Sequence, residues 1–139
     1  VTASLPIANE IVAHFSLDSE VRLILTGGIV RPRELSMIGH IATHTYQELH
    51  VDKAFVGIGG ISLGKGLTEY NLEDALAKRA LIESAREVIV VADSTKLGRV
   101  TFALVAPLSA ITTLVTDSSA REDHLQELRR MGVRVVIAS

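Results

Sequence analysis

The sequence predicts an α/β domain, a mainly parallel sheet with helices packed on both faces. Three observations carry that prediction. Short unbroken aliphatic runs recur at residues 21–25, 53–56, 88–92, 111–115 and 133–137, as strands buried on both faces require. Stretches with the apolar spacing of helices separate most of them. Four runs stop on small or polar residues: Thr26-Gly27-Gly28, residues 57–60, residues 93–96 and Thr116-Asp117. A parallel sheet gathers such residues along the edge where its strands end, which is where its ligands bind.

Residues 1–4 read as the tail of a strand, and Ser4 as the N-cap of a helix that tolerates Pro6 in its first turn. Ala8, Ile11, Val12 and Phe15 form one helical stripe. Residues 21–25 read as a buried strand feeding a tight turn at Thr26-Gly27-Gly28. Arg31, Pro32 and Arg33 mark an exposed basic connection. A second helix is expected from Ser36, with Ile38, Ile41, Ala42, Thr45 and Leu49 on one face.

Residues 51–73 organise the rest. A strand over 53–56 enters a loop carrying Gly57, Gly59, Gly60, Gly64 and Gly66, and Asn71 is placed to cap the next helix. Glycine lets backbone N–H groups turn toward a ligand without a side chain in the way. A helix start adds unpaired N–H groups and a positive dipole end. Together they make an anion or phosphate cradle.

The helix from Asn71 to about residue 85 is aliphatic nearly all round, interrupted by Lys78, Arg79 and Glu83, which fits a helix covered on several sides. Residues 88–92 form a strand. Residues 100–108 are hydrophobic, end near Pro107 and fit no single period. Residues 111–115 form a further strand. Ser119 and Glu122 have capping-box spacing for a last helix bearing His124, Leu125, Leu128 and Met131. Gly132 then caps it ahead of the final strand.

The chain has 139 residues, enough for one domain with a substantial core. Its net charge of −2 argues against a duplex-binding surface, which needs a clustered excess of Lys and Arg. Without cysteine there is no disulfide framework and no thiolate zinc site. No apolar run is long enough to span a membrane, and no signal or lipidation motif is evident, so a soluble intracellular protein is expected. Val1 is not methionine, and the opening reads like the middle of an α/β domain. The expectation is a fragment whose N-terminal portion lies outside these residues.

The candidate ligand residues are Ser4, Thr26, Gly27, Gly28, Gly57, Gly59, Gly60, Glu73, Asp93 and Lys96. Each has a plainer reading. N-capping alone explains Ser4, and the glycines serve turns and close packing. Asp93 either bonds a ligand's hydroxyls or caps local N–H groups. The Lys96 ammonium either meets a phosphate or is solvated. Glu73 in a first helical turn is favoured by the dipole alone. His40 and His44 lie one turn apart, but no third ligand is evident, so neither metal nor cofactor is expected.

The ordered segments Thr2 to Glu10, Leu25-Thr26-Gly27-Gly28, Val51 to Gly57, Gly66-Leu67-Thr68, Glu73 through Glu83, Ala92 to Arg99 and Thr116-Asp117 resemble the C-terminal effector-sensing domain of DeoR-family bacterial transcriptional regulators. The resemblance covers essentially the whole chain. It implies a Rossmann-like three-layer fold similar to ribose-5-phosphate isomerase, the glucosamine-phosphate deaminases and the CoA-transferases. It also implies a phosphorylated sugar or polyol that relieves repression, a homo-oligomer in the bacterial cytoplasm, and an operator bound only through a winged helix-turn-helix absent from this chain. The family's first strand and its glycine–threonine phosphate loop are expected just before Val1. The family often has Asn at the position of Ala3, and Asp or Asn at that of Gly59. The related isomerases use acidic residues around the 57–61 loop for proton transfer, and this loop has none, which weighs against an enzyme.

Three functions follow. The first is a non-catalytic sugar-phosphate sensor acting by population shift. The second is an isomerase or deaminase of the same fold. The third is an oligomerisation module with a vestigial pocket.

Overall fold

The computed structural model describes residues 1–15 and 20–138. In chain order the elements are α1 (Leu5–His14), β1 (Ile29–Val30), β2 (Met37–Ile38), α2 (His40–Gln47), β3 (Val51–Gly57), β4 (Gly60–Ser62), β5 (Gly66–Glu69), α3 (Leu72–Ser84), β6 (Ala85–Val91), β7 (Ala103–Ala106), β8 (Thr113–Asp117), α4 (Glu122–Arg130) and β9 (Arg134–Ala138). Strands β3, β6, β8 and β9 form, in that order, an all-parallel sheet. Strands β4, β5 and β7 form a separate antiparallel sheet, and β1 and β2 a short antiparallel pair. The architecture is α/β of the Rossmann-like three-layer class, built on the expected mainly parallel sheet.

Register decides which strand residues are covered. Ala54, Val56, Val88, Val90, Leu114 and Thr116 share one face and are buried, most of them in the main core. Phe55, Ile89, Val91 and Val115 share the other, where Phe55 is 68% and Val91 47% exposed. Sequence patterning predicts helices on both faces, yet among the described residues the second face is largely open. Each of these strands pairs with the next in chain order, so right-handed crossovers all pass over the same side.

Most elements match their sequence signals. The Ser4 hydroxyl accepts from the Ile7 N–H at 3.3 Å, and the Asn71 side chain accepts from the Asp74 N–H at 3.0 Å, so both caps are made. Gly132 ends α4 at φ 88°, with Gly132 N–H on the Arg129 carbonyl and Val133 N–H on the Leu128 carbonyl, each at 3.0 Å.

Several boundaries differ. Residues 21–25 form no strand: Leu25 makes one parallel bridge to Thr2, and Val21, Ile24 and Leu25 are exposed. The second helix starts at His40, because Met37 and Ile38 are buried in the pair with β1 and Gly39 breaks the chain direction at φ 88°. The glycine-rich stretch is not one loop. Its second half is the β4–β5 hairpin, and residues 100–108 supply β7 against it. Ser119 does not cap α4; its N–H instead bonds the Asp117 carboxylate at 2.8 Å.

Helix α3 packs against α2, β3 of the parallel sheet, and β5 and β7 of the antiparallel one. Its Arg79 guanidinium donates to the Leu104 and Val105 carbonyls of β7 at 2.7 and 3.1 Å.

Candidate functional site

The carboxyl ends of β3, β6 and β8 lie side by side, with Gly57 beside Val91 and Val91 beside Val115. The chain leaving β6 turns at once in a 3-10 turn, Ser94–Lys96. The Asp93 carboxylate accepts from the Thr95 N–H at 2.9 Å and from the Thr95 hydroxyl. Asp117 accepts from the Ser94 N–H at 2.6 Å and the Ser119 N–H at 2.8 Å, tying the ends of β6 and β8 together. The Thr95 hydroxyl and N–H hold the Asp93 carboxyl below its ordinary range, and the Ser94 and Ser119 N–H groups do the same for Asp117. Both carboxylates are thus engaged with local backbone. Lys96 is half-buried, and among the described residues no carboxylate forms an ion pair with its ammonium.

The other predicted residues scatter. Thr26 is buried; its carbonyl accepts from the Thr45 hydroxyl at 3.0 Å, and its N–H bonds the Thr2 carbonyl at 3.2 Å. Gly27 and Gly28 have φ of 73° and 118°, and a Cβ at Gly28 would stand 2.5 Å from the Ile38 carbonyl oxygen. Their bonds and packing run to residue 2, β2 and α2. Ser4 is spent on its cap. A Cβ on Gly60 would meet the Arg99 carbonyl oxygen at 2.5 Å, so close backbone packing requires that glycine. Nothing lies within 4 Å of the position a Cβ would take at Gly57. Glu73 faces solvent at the start of α3.

The residue after Glu73 turns inward and founds a cluster that sequence reasoning missed. Asp74 Oδ2 lies 2.8 Å from Arg31 Nη1 and 3.2 Å from Lys78 Nζ. Lys78 Nζ also lies 2.5 Å from Glu69 Oε1, and Arg31 Nη2 lies 2.9 Å from Glu34 Oε1. The second Glu69 oxygen accepts from the Tyr70 N–H at 3.2 Å. Glu69 is only 5% exposed and Asp74 8%. With Ser36, Ile58 and Gly59 these five residues line an open cleft of about 270 Å³. Arg31 is therefore not simply solvated, whereas Pro32, Arg33 and Glu34 of the same connection are exposed, as its sequence suggests. Of the predicted residues only Gly59 borders this cleft, and a Cβ there would stand 2.9 Å from Glu69 Oε2. Glu69 thus brings from β5 the carboxylate that the 57–61 loop lacks. One signal pointed here, the i, i+4 spacing of Asp74 and Lys78.

The cleft carries fixed donors and acceptors, with three carboxylates against two cations. At the start of α3 the Asn71 side chain takes the Asp74 N–H, and two acidic residues, Glu73 and Asp74, stand in the first turn. His40 and His44 stack with centroids 5.8 Å apart, and among the described residues no third metal-ligating group joins them. No helix among the described residues is long and apolar enough to cross a membrane.

A Rossmann-like sheet with a charged cleft near its strand ends is the class these features define. Residues 1–118 match the family model described as the DeoR C terminal sensor domain. The chain is 35% identical over 119 residues to the HTH-type transcriptional regulator GlpR of Haloferax volcanii, covering 86% of this chain and 46% of that protein. It is 33% identical over 127 residues to the putative aga operon transcriptional repressor of Escherichia coli O157:H7, covering 91% and 47%. It is 30% identical over 128 residues to the glycerol-3-phosphate regulon repressor of Escherichia coli K12, covering 92% and 49%. The chain belongs to the DeoR family, as a C-terminal sensor domain, and it spans about half the length of the curated relatives it matches.

Proposed function

We propose that this domain is the effector-binding half of a bacterial transcriptional repressor, and that a phosphorylated sugar or polyol held beside Gly59 changes the protein's grip on its operator. The observation that carries the reading is the cleft itself. Three separate parts of the chain place two cations and three carboxylates around about 270 Å³, with Glu69 and Asp74 nearly buried. Fixed charges of both signs donate to and accept from ligand hydroxyls in defined directions. Both cations already face two carboxylates each, so the cleft suits hydroxyls better than a dianion. The phosphate belongs at the open strand ends, near Gly57 and the Lys96 ammonium. One relative bears the name glycerol-3-phosphate regulon repressor, which supports a polyol phosphate as the ligand class.

The chain is one sensing domain of a longer cytoplasmic protein. Its winged helix-turn-helix and phosphate loop precede Val1, it assembles as a homo-oligomer, and ligand acts by population shift. It catalyses nothing in this reading. The test is a thermal-shift screen of the polypeptide that the gene encodes through Ser139, against sugar and polyol phosphates. A ligand at 100 times its dissociation constant adds about 2.7 kcal/mol. One compound should stabilise the protein, and Lys78→Met and Lys96→Ala should each weaken that effect. If no compound in the panel shifts the protein, the sensor reading falls below the oligomerisation one.

Glu69 keeps a second reading alive, since a buried carboxylate beside the cleft is the group an aldose–ketose isomerase needs as base. Incubating the protein with aldose phosphates in D2O decides it. Deuterium incorporated next to the carbonyl, and lost in Glu69→Gln, would establish catalysis; no incorporation leaves the sensor.

A further inference from the structure

The two cations inside the cleft, Arg31 and Lys78, are each shared between two carboxylates. One side chain further out stands a cation that is not. Among the described residues Arg99 forms no ion pair with any carboxylate. Its Nη1 donates to the Tyr70 hydroxyl at 2.8 Å. The Tyr70 ring lies against Gly59, the glycine that borders the cleft. A Cβ on Gly59 would stand 3.1 Å from ring carbons Cδ2 and Cε2. The Tyr70 N–H bonds Glu69 Oε2 at 3.2 Å, so this tyrosine is held at both ends.

The backbone that carries Arg99 is equally fixed. Gly98 takes φ 79°, and its N–H donates to the Ile61 carbonyl of β4 at 2.8 Å. The Arg99 carbonyl packs onto Gly60, where only a glycine leaves room for it. The Arg99 N–H donates to the Lys96 carbonyl at 3.3 Å, so Lys96 and Arg99 leave the same turn. Asp93 and Asp117, the carboxylates beside that turn, are taken up by the N–H groups of Thr95, Ser94 and Ser119.

A guanidinium carries five N–H donors in a planar fork, and Tyr70 occupies one of them. The Tyr70 hydroxyl accepts that bond and keeps its own proton to donate. An exposed fork, unneutralised yet held by its neighbours, matches the oxygens of a phosphate monoester, which carries about −1.5 to −2 charges near pH 7. Holding it in advance removes part of the ordering cost of binding. We propose that Arg99 is the specificity-determining residue for the effector's phosphate, gripping two of its oxygens, with Tyr70 as its positioning residue. The Tyr70 ring on Gly59 then stands between that phosphate and the hydroxyls in the cleft. This rests on the sensor reading and narrows its ligand to a terminal phosphate monoester whose hydroxyls reach back past one aromatic ring.

Inorganic phosphate is the probe, titrated calorimetrically at constant ionic strength into the polypeptide that the gene encodes through Ser139. Arg99→Gln should weaken phosphate binding at least about tenfold, and Tyr70→Phe by less than that. Arg99→Lys should restore only part of the affinity, because an ammonium lacks the fork. Arg99 and Tyr70 are exposed, so melting temperatures without phosphate should stay at the parent value in all three variants. That separates lost binding from lost folding. Lys65→Gln removes an exposed cation from the β4–β5 turn and controls for charge alone. Unchanged phosphate affinity in Arg99→Gln would overturn the inference. So would a parent protein that binds no phosphate, or an equal loss in Lys65→Gln. A sugar phosphate that stabilises the parent and Arg99→Gln alike would remove this subsite and leave the sensor reading standing. Phosphate binding that depends on Arg99, with no sugar phosphate bound by the parent, would keep the subsite and remove the sensor reading.

Discussion

Asp74→Asn is the most informative single change, because it keeps the shape of a buried side chain and removes its charge. Asp74 takes a hydrogen bond from Arg31 at 2.8 Å and forms an ion pair with Lys78 at 3.2 Å while only 8% of the residue is exposed. Charge-assisted bonds contribute about 1.5–3 kcal/mol each, and stranding a buried partner costs about 3–5 kcal/mol. Neither cation is stranded here. Arg31 keeps Glu34 at 2.9 Å and Lys78 keeps Glu69 at 2.5 Å, and the amide oxygen still accepts one bond. The expected loss is therefore about 2 kcal/mol, or about 8 °C in Tm for a domain of this size. Glu73→Gln, one position earlier and exposed, should stay within about 0.5 kcal/mol of the parent. Urea denaturation followed by circular dichroism measures both. An Asp74→Asn cost no greater than that of Glu73→Gln would refute the idea that the cluster holds the β1–β2 connection to α3. A double-mutant cycle with Arg31→Met should then show no coupling either, whereas the structure demands at least about 0.5 kcal/mol.

Other outcomes follow from the same geometry. Gly57→Ala has open space for its methyl and should leave Tm nearly unchanged. If it also leaves the effector's dissociation constant untouched, Gly57 does not touch the ligand. Gly60→Ala drives a Cβ to 2.5 Å from the Arg99 carbonyl oxygen and should cost about 2 kcal/mol or more in denaturant unfolding. Asn71→Ala removes the cap of α3 and should cost about 1 kcal/mol by the same assay. The Asp117 carboxyl is lowered in the folded state by the Ser94 and Ser119 N–H groups. Its stabilising effect is therefore present above the ordinary carboxylate range and lost as pH falls through the lowered value. Asp117→Asn should flatten the acid limb of a stability–pH curve below about pH 4 while shifting the neutral plateau downward.

The parallel sheet was legible because its strands are continuous aliphatic runs whose signal is local. The caps at Ser4, Asn71 and Gly132 were legible for the same reason. What escaped depends on partners far away in the chain. Nothing within a few residues of Met37 says that it pairs with Val30, and nothing near Gly60 says that the strand after it needs Thr68 opposite. The run 21–25 looks like any buried strand, yet its aliphatics lie exposed around a single bridge to Thr2. At the site the difference was one residue. Glu73 and Asp74 both carry carboxyl groups, and only the rotation of α3 against β5 and the β1–β2 connection selects Asp74 for the interior. The cleft also joins residues 31, 59, 69, 74 and 78, which no local pattern unites.

The three anchors on α3 have a mechanical consequence. Asp74 grips the β1–β2 connection, Lys78 grips β5, and Arg79 clasps two carbonyls of β7. A rod pinned at three points within two turns cannot swing at one end while staying still at the other. It either rolls with all its attachments or stays put. Spectroscopic labels placed at Arg33, in the connection that Asp74 grips, and at Phe102, next to the β7 that Arg79 clasps, should therefore titrate with one common midpoint when effector is added.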